Sequence, residues 1–397
     1  MRGVGTMFKK IGLIGQLAVA IALGALVGAY APGCVIRAFN SFGGTFGQFI
    51  KFVVPFIIVG LVTPAIVETG RSAGKLLLLV MGIAYASTIF SGAFAYAVSS
   101  TVFPAVMDAS AASAAGVKDL SAYFVIKIPP IMDVTTALVT AFMFGIGMAA
   151  VQADPLVRAF NALRDVVTLT IRRAVAPLLP LYIFAVIADL TASGRLMAVG
   201  GPCLKIMGLA MAVTSVVLLI QYLVAGLVAR RNPIKALWTM MPAYLTGWGC
   251  CSSAATIPVS LRQVRANGVS GETADLVVPL CANVHLAGSM ANMVVYTAGF
   301  LAMAGEPISW TAYVEFIFMV SIVAVASPGI PGGVVLASAA IAETTLGFTP
   351  ERYALVIATY MALDGMGTAC NLTGDGAIAL IVDRFSRRKE EQPVSNA

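Results

Sequence analysis

The chain has 397 residues, of which 59% are hydrophobic and only 11% charged, and its mean hydropathy is +0.93. A water-soluble globular chain carries about 25% charged residues, so a soluble fold is excluded and a polytopic membrane protein is indicated. The net charge of +7 calls for no nucleic-acid partner, because lysine and arginine are over-used in the cytoplasmic loops of membrane proteins.

Apolar segments run at approximately 11–31, 45–67, 76–103, 132–152, 174–190 and 206–229. The first has Lys9 and Lys10 on its cytoplasmic flank and no clear small-residue cleavage site after it. It reads as a transmembrane helix and not as a removed signal peptide. The fifth is predicted to extend back through Arg164, Arg172 and Arg173 on an amphipathic turn. Placing both termini in the cytoplasm puts 18 of the 25 lysines and arginines inside, which satisfies the positive-inside rule. The six cysteines (Cys34, Cys203, Cys250, Cys251, Cys281 and Cys370) show no metal or disulfide spacing and read as small buried hydrophobes. Residues 104–130 form the longest external loop.

After Arg231 the pattern changes. Residues 236–268 are broken by Gly247, Trp248, Gly249, Cys250, Cys251, Ser252, Ser253 and Pro258, and residues 310–348 by the run Ser327-Pro328-Gly329-Ile330-Pro331-Gly332-Gly333. Each is an apolar arm, a tip of helix breakers and a second apolar arm, denser in breakers than a kinked helix. Irregular backbone survives at membrane depth only where protein buries it or it lines a cavity, so two interrupted segments in one half of the chain mark a binding site. Between them, Asn283-Val284-His285-Leu286-Ala287-Gly288-Ser289 interrupts the segment 275–303, with Gly288 permitting local unwinding. His285 is the only histidine. It reads either as a proton-relay group or as a neutral, hydrogen-bonded packing residue.

The last apolar run, Tyr353 to Val382, holds Asp364 and Asp375. Carboxylates at membrane depth are functional hypotheses by default. Eleven residues separate them, about three helical turns and roughly 16 Å along the axis. Two carboxylates that share a proton must be close neighbours, so an intramembrane aspartyl protease is disfavoured and the pair reads as two separate cation-binding points. An ion channel is disfavoured too, because a pore wants rings of like groups while the polar residues here converge on one pocket.

Several stretches then carry a family resemblance: Ile50-Lys51-Phe52-Val53-Val54-Pro55, Arg231-Asn232-Pro233, Cys251-Ser252-Ser253-Ala254-Ala255-Thr256-Ile257-Pro258, Val278-Pro279-Leu280, Gly329-Ile330-Pro331-Gly332-Gly333 and Asn371-Leu372-Thr373-Gly374-Asp375. In this order and spacing the chain resembles the dicarboxylate/amino-acid:cation symporter family, the glutamate-transporter fold, over nearly its whole length. In site chemistry it is most similar to bacterial serine/threonine:sodium symporters.

The resemblance implies an all-α fold of eight transmembrane helices and two re-entrant helical hairpins, assembled as a homotrimer in the lipid of a bacterial cytoplasmic (inner) membrane. A scaffold (approximately 11–68 and 121–192) would hold a transport domain (approximately 73–103 and 200–385) that moves as an elevator, with 386–397 a cytoplasmic tail. Ser253 at the first hairpin tip would meet the substrate carboxylate, and Ile330 and Gly332 at the second would supply backbone contacts and the outer gate. Asp364 would hold the substrate ammonium, with Thr368 a supporting hydroxyl, Asn371 a carboxylate-binding amide and Ser289 placed to meet a substrate hydroxyl. Asp375, with backbone carbonyls of Cys281, His285 and Asn371, would bind one sodium ion. Backbone at Asn283 and from Val325 to Ser327 would bind a second.

Departures narrow the function. Acidic-substrate members carry an arginine where this chain has Gly367, and some carry one where it has Cys251. A dicarboxylic amino acid would therefore bury an unpaired charge, so a small neutral amino acid such as serine, threonine or alanine is predicted. The family's residues for a third sodium site become His285 and Ala287, and its third-helix hydroxyls are matched to Ile83 and Ala84. Fewer coupled sodium ions follow, and His285 leaves a proton open in place of one.

Overall fold

The computed structural model describes residues 13–64, 66–67, 75–107, 120–151, 154–194, 196–324 and 332–390. Among these there is no strand. Helix α1 (Leu13–Tyr30) ends just before Pro32, whose extended backbone caps α2 (Gly33–Ile57). Helix α2 starts well ahead of the segment expected at 45–67. Its early polar residues find tertiary partners: Asn40 Nδ2 donates to Leu120 O (2.7 Å) and Asp189 Oδ1 (2.8 Å), and Arg37 to Ser121 O (2.9 Å). Just after Pro55, which has no N–H to give, the helix widens into a π-turn, Ile58–Val62. Helices α3 (Lys75–Val106) and α4 (Val134–Val151) follow. Helix α5 (Asp154–Thr170) continues through a second π-turn, Ile171–Val175, into α6 (Ala176–Ala192), the backward extension predicted through Arg164 and Arg172.

Helix α7 (Leu196–Ala229) leads to a helical hairpin. Its first arm is α8 (Pro233–Thr239) with α9 (Met241–Cys250), and its second is α10 (Ser253–Ala266). At the turn Cys251 is left-handed (φ 50°), and the Ser252 hydroxyl caps α10 by accepting from Ala255 N. At about 21 Å, α10 is shorter than a bilayer core. Helix α11 (Gly271–Val284) is followed by α12 (Ala287–Met303), then α13 (Trp310–Ala324), α14 (Gly333–Ala337) and α15 (Ala339–Leu346). Helix α13 packs against α14 and α15. The last described helix is α16 (Pro350–Glu390).

Helix α12 is apolar and buried nearly all round, enclosed by α3, α7 and α16. A helix buried on every side belongs to a core, and α12 and α16 form its axis here. On the other side, α1 and α2 pack on α6. Lys51 of α2 reaches Glu343 of α15 (2.5 Å), and the Tyr182 hydroxyl of α6 donates to Pro350 O (2.9 Å), so polar contacts join the two groups of helices beside an apolar cluster that spans both. Five of the described helical stretches are long and apolar enough to cross a membrane: 33–62, 76–106, 154–192, 199–229 and 271–303. The described part of α1, together with α4 and α13, is apolar but shorter. Three cysteines, Cys251, Cys281 and Cys370, are buried as expected. Cys34 at the start of α2 and Cys250 at the hairpin turn are exposed, since both stand where an element ends.

Candidate functional site

The site is organised by a break between α11 and α12. His285 (φ −93°, ψ 104°) and Leu286 (φ −124°, ψ 37°) leave the helical ladder, so the first N–H groups of α12 need other partners. Side chains from two neighbours supply them. Asn371 Oδ1 of α16 accepts from Gly288 N (2.8 Å) and Ser289 N (3.2 Å), Thr88 Oγ1 of α3 accepts from Leu286 N (3.2 Å), and Ser91 Oγ donates to Ala287 O (2.6 Å). The unwinding lies at His285–Leu286 and not at Gly288. Asn371→Leu is expected to leave two buried N–H groups unpaired. The variant should lose roughly 1–3 kcal/mol of stability, read as a melting point several degrees lower in detergent, and Asn371→Asp, which keeps the acceptor, should recover most of it.

Around Asp364 both tips come together. The second tip sends the Gly332 N–H to Asp364 Oδ2 (3.0 Å). The first lies so close to α16 that a Cβ on Gly365 would stand 2.2 Å from Trp248 O and 3.1 Å from Cys251 Sγ. The Tyr360 hydroxyl, one turn before Asp364, stands beside both Asp364 and Ser289. Asp364 is 5% exposed, and among the described residues no lysine or arginine pairs with it. Thr368 is buried one turn further along α16. The Asn371 amide is fully engaged, because its Nδ2 donates to Ser289 Oγ (2.9 Å) while its Oδ1 caps α12. Ser253 opens α10, half-buried, and its neighbour Ser252 does the capping. Gly367 faces α12, and a Cβ there would lie 3.0 Å from Asn292 Nδ2 and 3.5 Å from Ser289 Oγ.

Asp375 has a different surrounding. Its Oδ1 is 2.9 Å from His285 Nδ1, and both side chains are fully buried. His285 Nε2 is 3.0 Å from Ser87 Oγ and 3.2 Å from Gln221 Nε2, and Gln221 Nε2 donates to Ser87 Oγ (2.9 Å). One assignment satisfies all of these: a neutral ring whose Nδ1–H donates to Asp375 while Nε2 accepts from the Ser87 hydroxyl. Asp375 Oδ2, Gln221 Oε1 and Thr373 Oγ1 are buried with no partner among the described residues. Buried acceptors of this kind suit a hard cation. The Cys281 carbonyl accepts from His285 N (2.8 Å), whereas the His285 carbonyl lies outside both helical ladders. Asn283 is exposed and its amide turns back to Pro279 O (3.2 Å). Val325, Ser327 and Ile330, with the rest of the second tip up to Pro331, lie outside the described residues.

One sequence assignment is corrected. The third-helix hydroxyls were matched to Ile83 and Ala84, but the residues of α3 that meet the break lie one turn later, Ser87 and Thr88. Sequence reasoning also missed Gln221, Asn292 and Tyr360. The available signal was polarity: Gln221 is the only carboxamide in α7, and Asn292 lies one turn beyond Ser289 on the same face. A cavity of about 660 Å³ opens elsewhere, lined by Asn40, Tyr182, Asp189, Phe300, Glu351 and Arg352 among others, and it touches neither Asp364 nor Asp375.

Known proteins are similar to this chain in sequence. The Sodium:dicarboxylate symporter family matches residues 13–385. The serine/threonine transporter SstT of Acinetobacter baumannii (strain AYE) is 26% identical over 403 residues, covering 96% of this chain and 98% of that protein. The serine/threonine transporter SstT of Streptococcus suis (strain 05ZYH33) is 24% identical over 350 residues, covering 85% of this chain and 96% of that one. The neutral amino acid transporter B(0) of Oryctolagus cuniculus is 26% identical over 270 residues, 66% of this chain and 49% of that protein.

Proposed function

We propose, from the premise that the chain belongs to the sodium:dicarboxylate symporter family and is a multi-pass membrane transporter and not an enzyme, that it couples sodium influx to uptake of a small neutral amino acid. Serine, threonine and alanine are the substrates proposed. The observation that carries this is Asp364: a buried carboxylate with no basic partner among the described residues, met by the N–H of one hairpin tip and flanked by the other. A substrate ammonium supplies the missing charge, and the free end of α10 at Ser253 offers N–H groups and a hydroxyl to the substrate carboxylate. Gly367 and Cys251 leave no cation for a second carboxylate, and the nearness of Asn292 to the Gly367 Cβ position leaves little room for a longer side chain there.

In this reading Asp375 Oδ2 and the His285 carbonyl serve a sodium ion, and Asn283 with Val325 to Ser327 contributes to a second. Both hairpins are re-entrant among eight transmembrane helices. The α1, α2 and α4–α6 group is the fixed scaffold of a homotrimer, and α3 with α7–α16 is the moving elevator. The membrane is the cytoplasmic one, with both termini inside.

The test is uptake into proteoliposomes of serine, threonine, alanine and aspartate, with sodium and proton gradients imposed separately. Sodium-driven accumulation of serine well above aspartate is expected. Aspartate exceeding serine would overturn the Gly367 argument. A second reading comes from the His285–Asp375 contact, which puts a proton-carrying ring where a coupling ion is otherwise expected. Uptake driven by a pH gradient with sodium absent would favour it.

A further inference from the structure

Helix α12 turns Ser289, Asn292 and Tyr296 toward α16, each about one turn from the next. Two of these carry polar atoms without partners. Asn292 is 1% exposed, and its Oδ1 accepts from the Thr214 hydroxyl (2.8 Å), which turns its Nδ2 toward Gly367. That Nδ2 has no hydrogen-bond partner among the described residues, and neither has the fully buried Tyr296 hydroxyl. The Tyr296 ring stands edge-on to Tyr360 with centroids 6.0 Å apart, and the Tyr360 hydroxyl borders Asp364 and Ser289. Opposite Asn292, α16 offers a glycine, one turn from Asp364.

A buried amide donor left unpaired destabilises a fold measurably, and the Thr214 bond to Oδ1 accounts for the oxygen of Asn292 but not for its unpaired Nδ2. Resting on the reading of Asp364 as the ammonium site, we infer that the Asn292 amide is the group that reads the substrate's side chain. An amino acid whose amine sits on Asp364 directs its side chain one turn along the α12–α16 interface, toward Gly367, Asn292 Nδ2 and Ser289 Oγ. A side-chain hydroxyl or carboxamide satisfies the amide, and a hydrocarbon side chain of the same size leaves it unpaired. The pocket is therefore specific for neutral side chains that hydrogen-bond. Serine is preferred to alanine and threonine to valine, its near-isostere. Gly367 serves this selectivity by leaving Asn292 room to approach.

The experiment measures competition and uptake by the full-length transporter in proteoliposomes with serine, alanine, threonine and valine, for the wild type, Asn292→Val, Asn292→Thr and Asp364→Ala. The wild type is expected to favour serine over alanine and threonine over valine by about fivefold or more. Asn292→Val should bring both ratios close to one, and Asn292→Thr, which restores a hydroxyl in nearly the shape of valine, should recover part of them. Wild-type ratios near one would overturn the inference whether or not any variant folds, and so would unchanged ratios in an active Asn292→Val protein. If those ratios stay unchanged while Asp364→Ala loses every substrate, the inference fails and the Asp364 reading stands. Retained binding by Asp364→Ala would mean that the reading itself has failed.

Discussion

Asp364→Ala is expected to abolish amino-acid binding without unfolding the protein. Removing one partner of a buried, hydrogen-bonded charge pair costs about 2–5 kcal/mol, roughly thirtyfold to several thousandfold in Kd. The loss should be uniform across serine, threonine and alanine, because the α-amine is common to all of them. The fold itself loses the Gly332 N–H bond and the contact with the Tyr360 hydroxyl but sheds an expensive buried charge, so the melting point of the substrate-free protein should move little. Asp364→Asn sharpens the test. It preserves shape and an acceptor for Gly332 but carries no charge, and it should fail to bind as completely as the alanine variant. Uptake and substrate-induced thermal stabilisation together read both effects. Normal serine affinity in the asparagine variant would show that no ammonium rests on Asp364.

The second large effect is expected at Asp375. Asparagine there still accepts from His285 Nδ1 and keeps the Ser87–Gln221–His285 network, so the substitution removes charge and little else. A carboxylate charge in the ligand set is a main determinant of affinity for a hard cation. The sodium concentration for half-maximal uptake should rise by about a hundredfold or more, with serine affinity at saturating sodium much less affected. A sodium titration that overlays the wild type would make Asp375 a structural partner of His285 and nothing more.

Much of the architecture was legible because helix breakers at membrane depth have few explanations. Within the Gly-Trp-Gly-Cys-Cys-Ser-Ser run only Cys251-Ser252 forms the turn of a helical hairpin, Gly247 to Cys250 staying helical, and the polar run after Asn283 does contain a helix break. The errors have physical causes. Helix α2 begins early because Arg37 and Asn40 are satisfied by Ser121, Leu120 and Asp189, partners at least 80 residues away in sequence that no local pattern reveals. The one-turn difference in α3 arises because apolar residues surround its few hydroxyls on every side, so periodicity does not mark which turn faces the break. His285 was left between a relay and a packing role, since a sequence cannot show that one ring nitrogen meets a carboxylate and the other a hydroxyl. Asn292 is hidden for a similar reason: that it faces a glycine of another helix is visible only in the fold.

With Asp364 read as the ammonium site proposed above, the Gly332 N–H on it makes an arriving amino acid displace an incumbent instead of finding a bare carboxylate. Affinity is then the difference between two satisfied arrangements, which keeps binding reversible although the charge is buried. A stray metal ion or water-borne cation meets the same competition with fewer hydrogen bonds to offer. On that reading Gly332 is a tethered competitor, and ligand occupancy and the Gly332–Asp364 contact become two descriptions of one equilibrium.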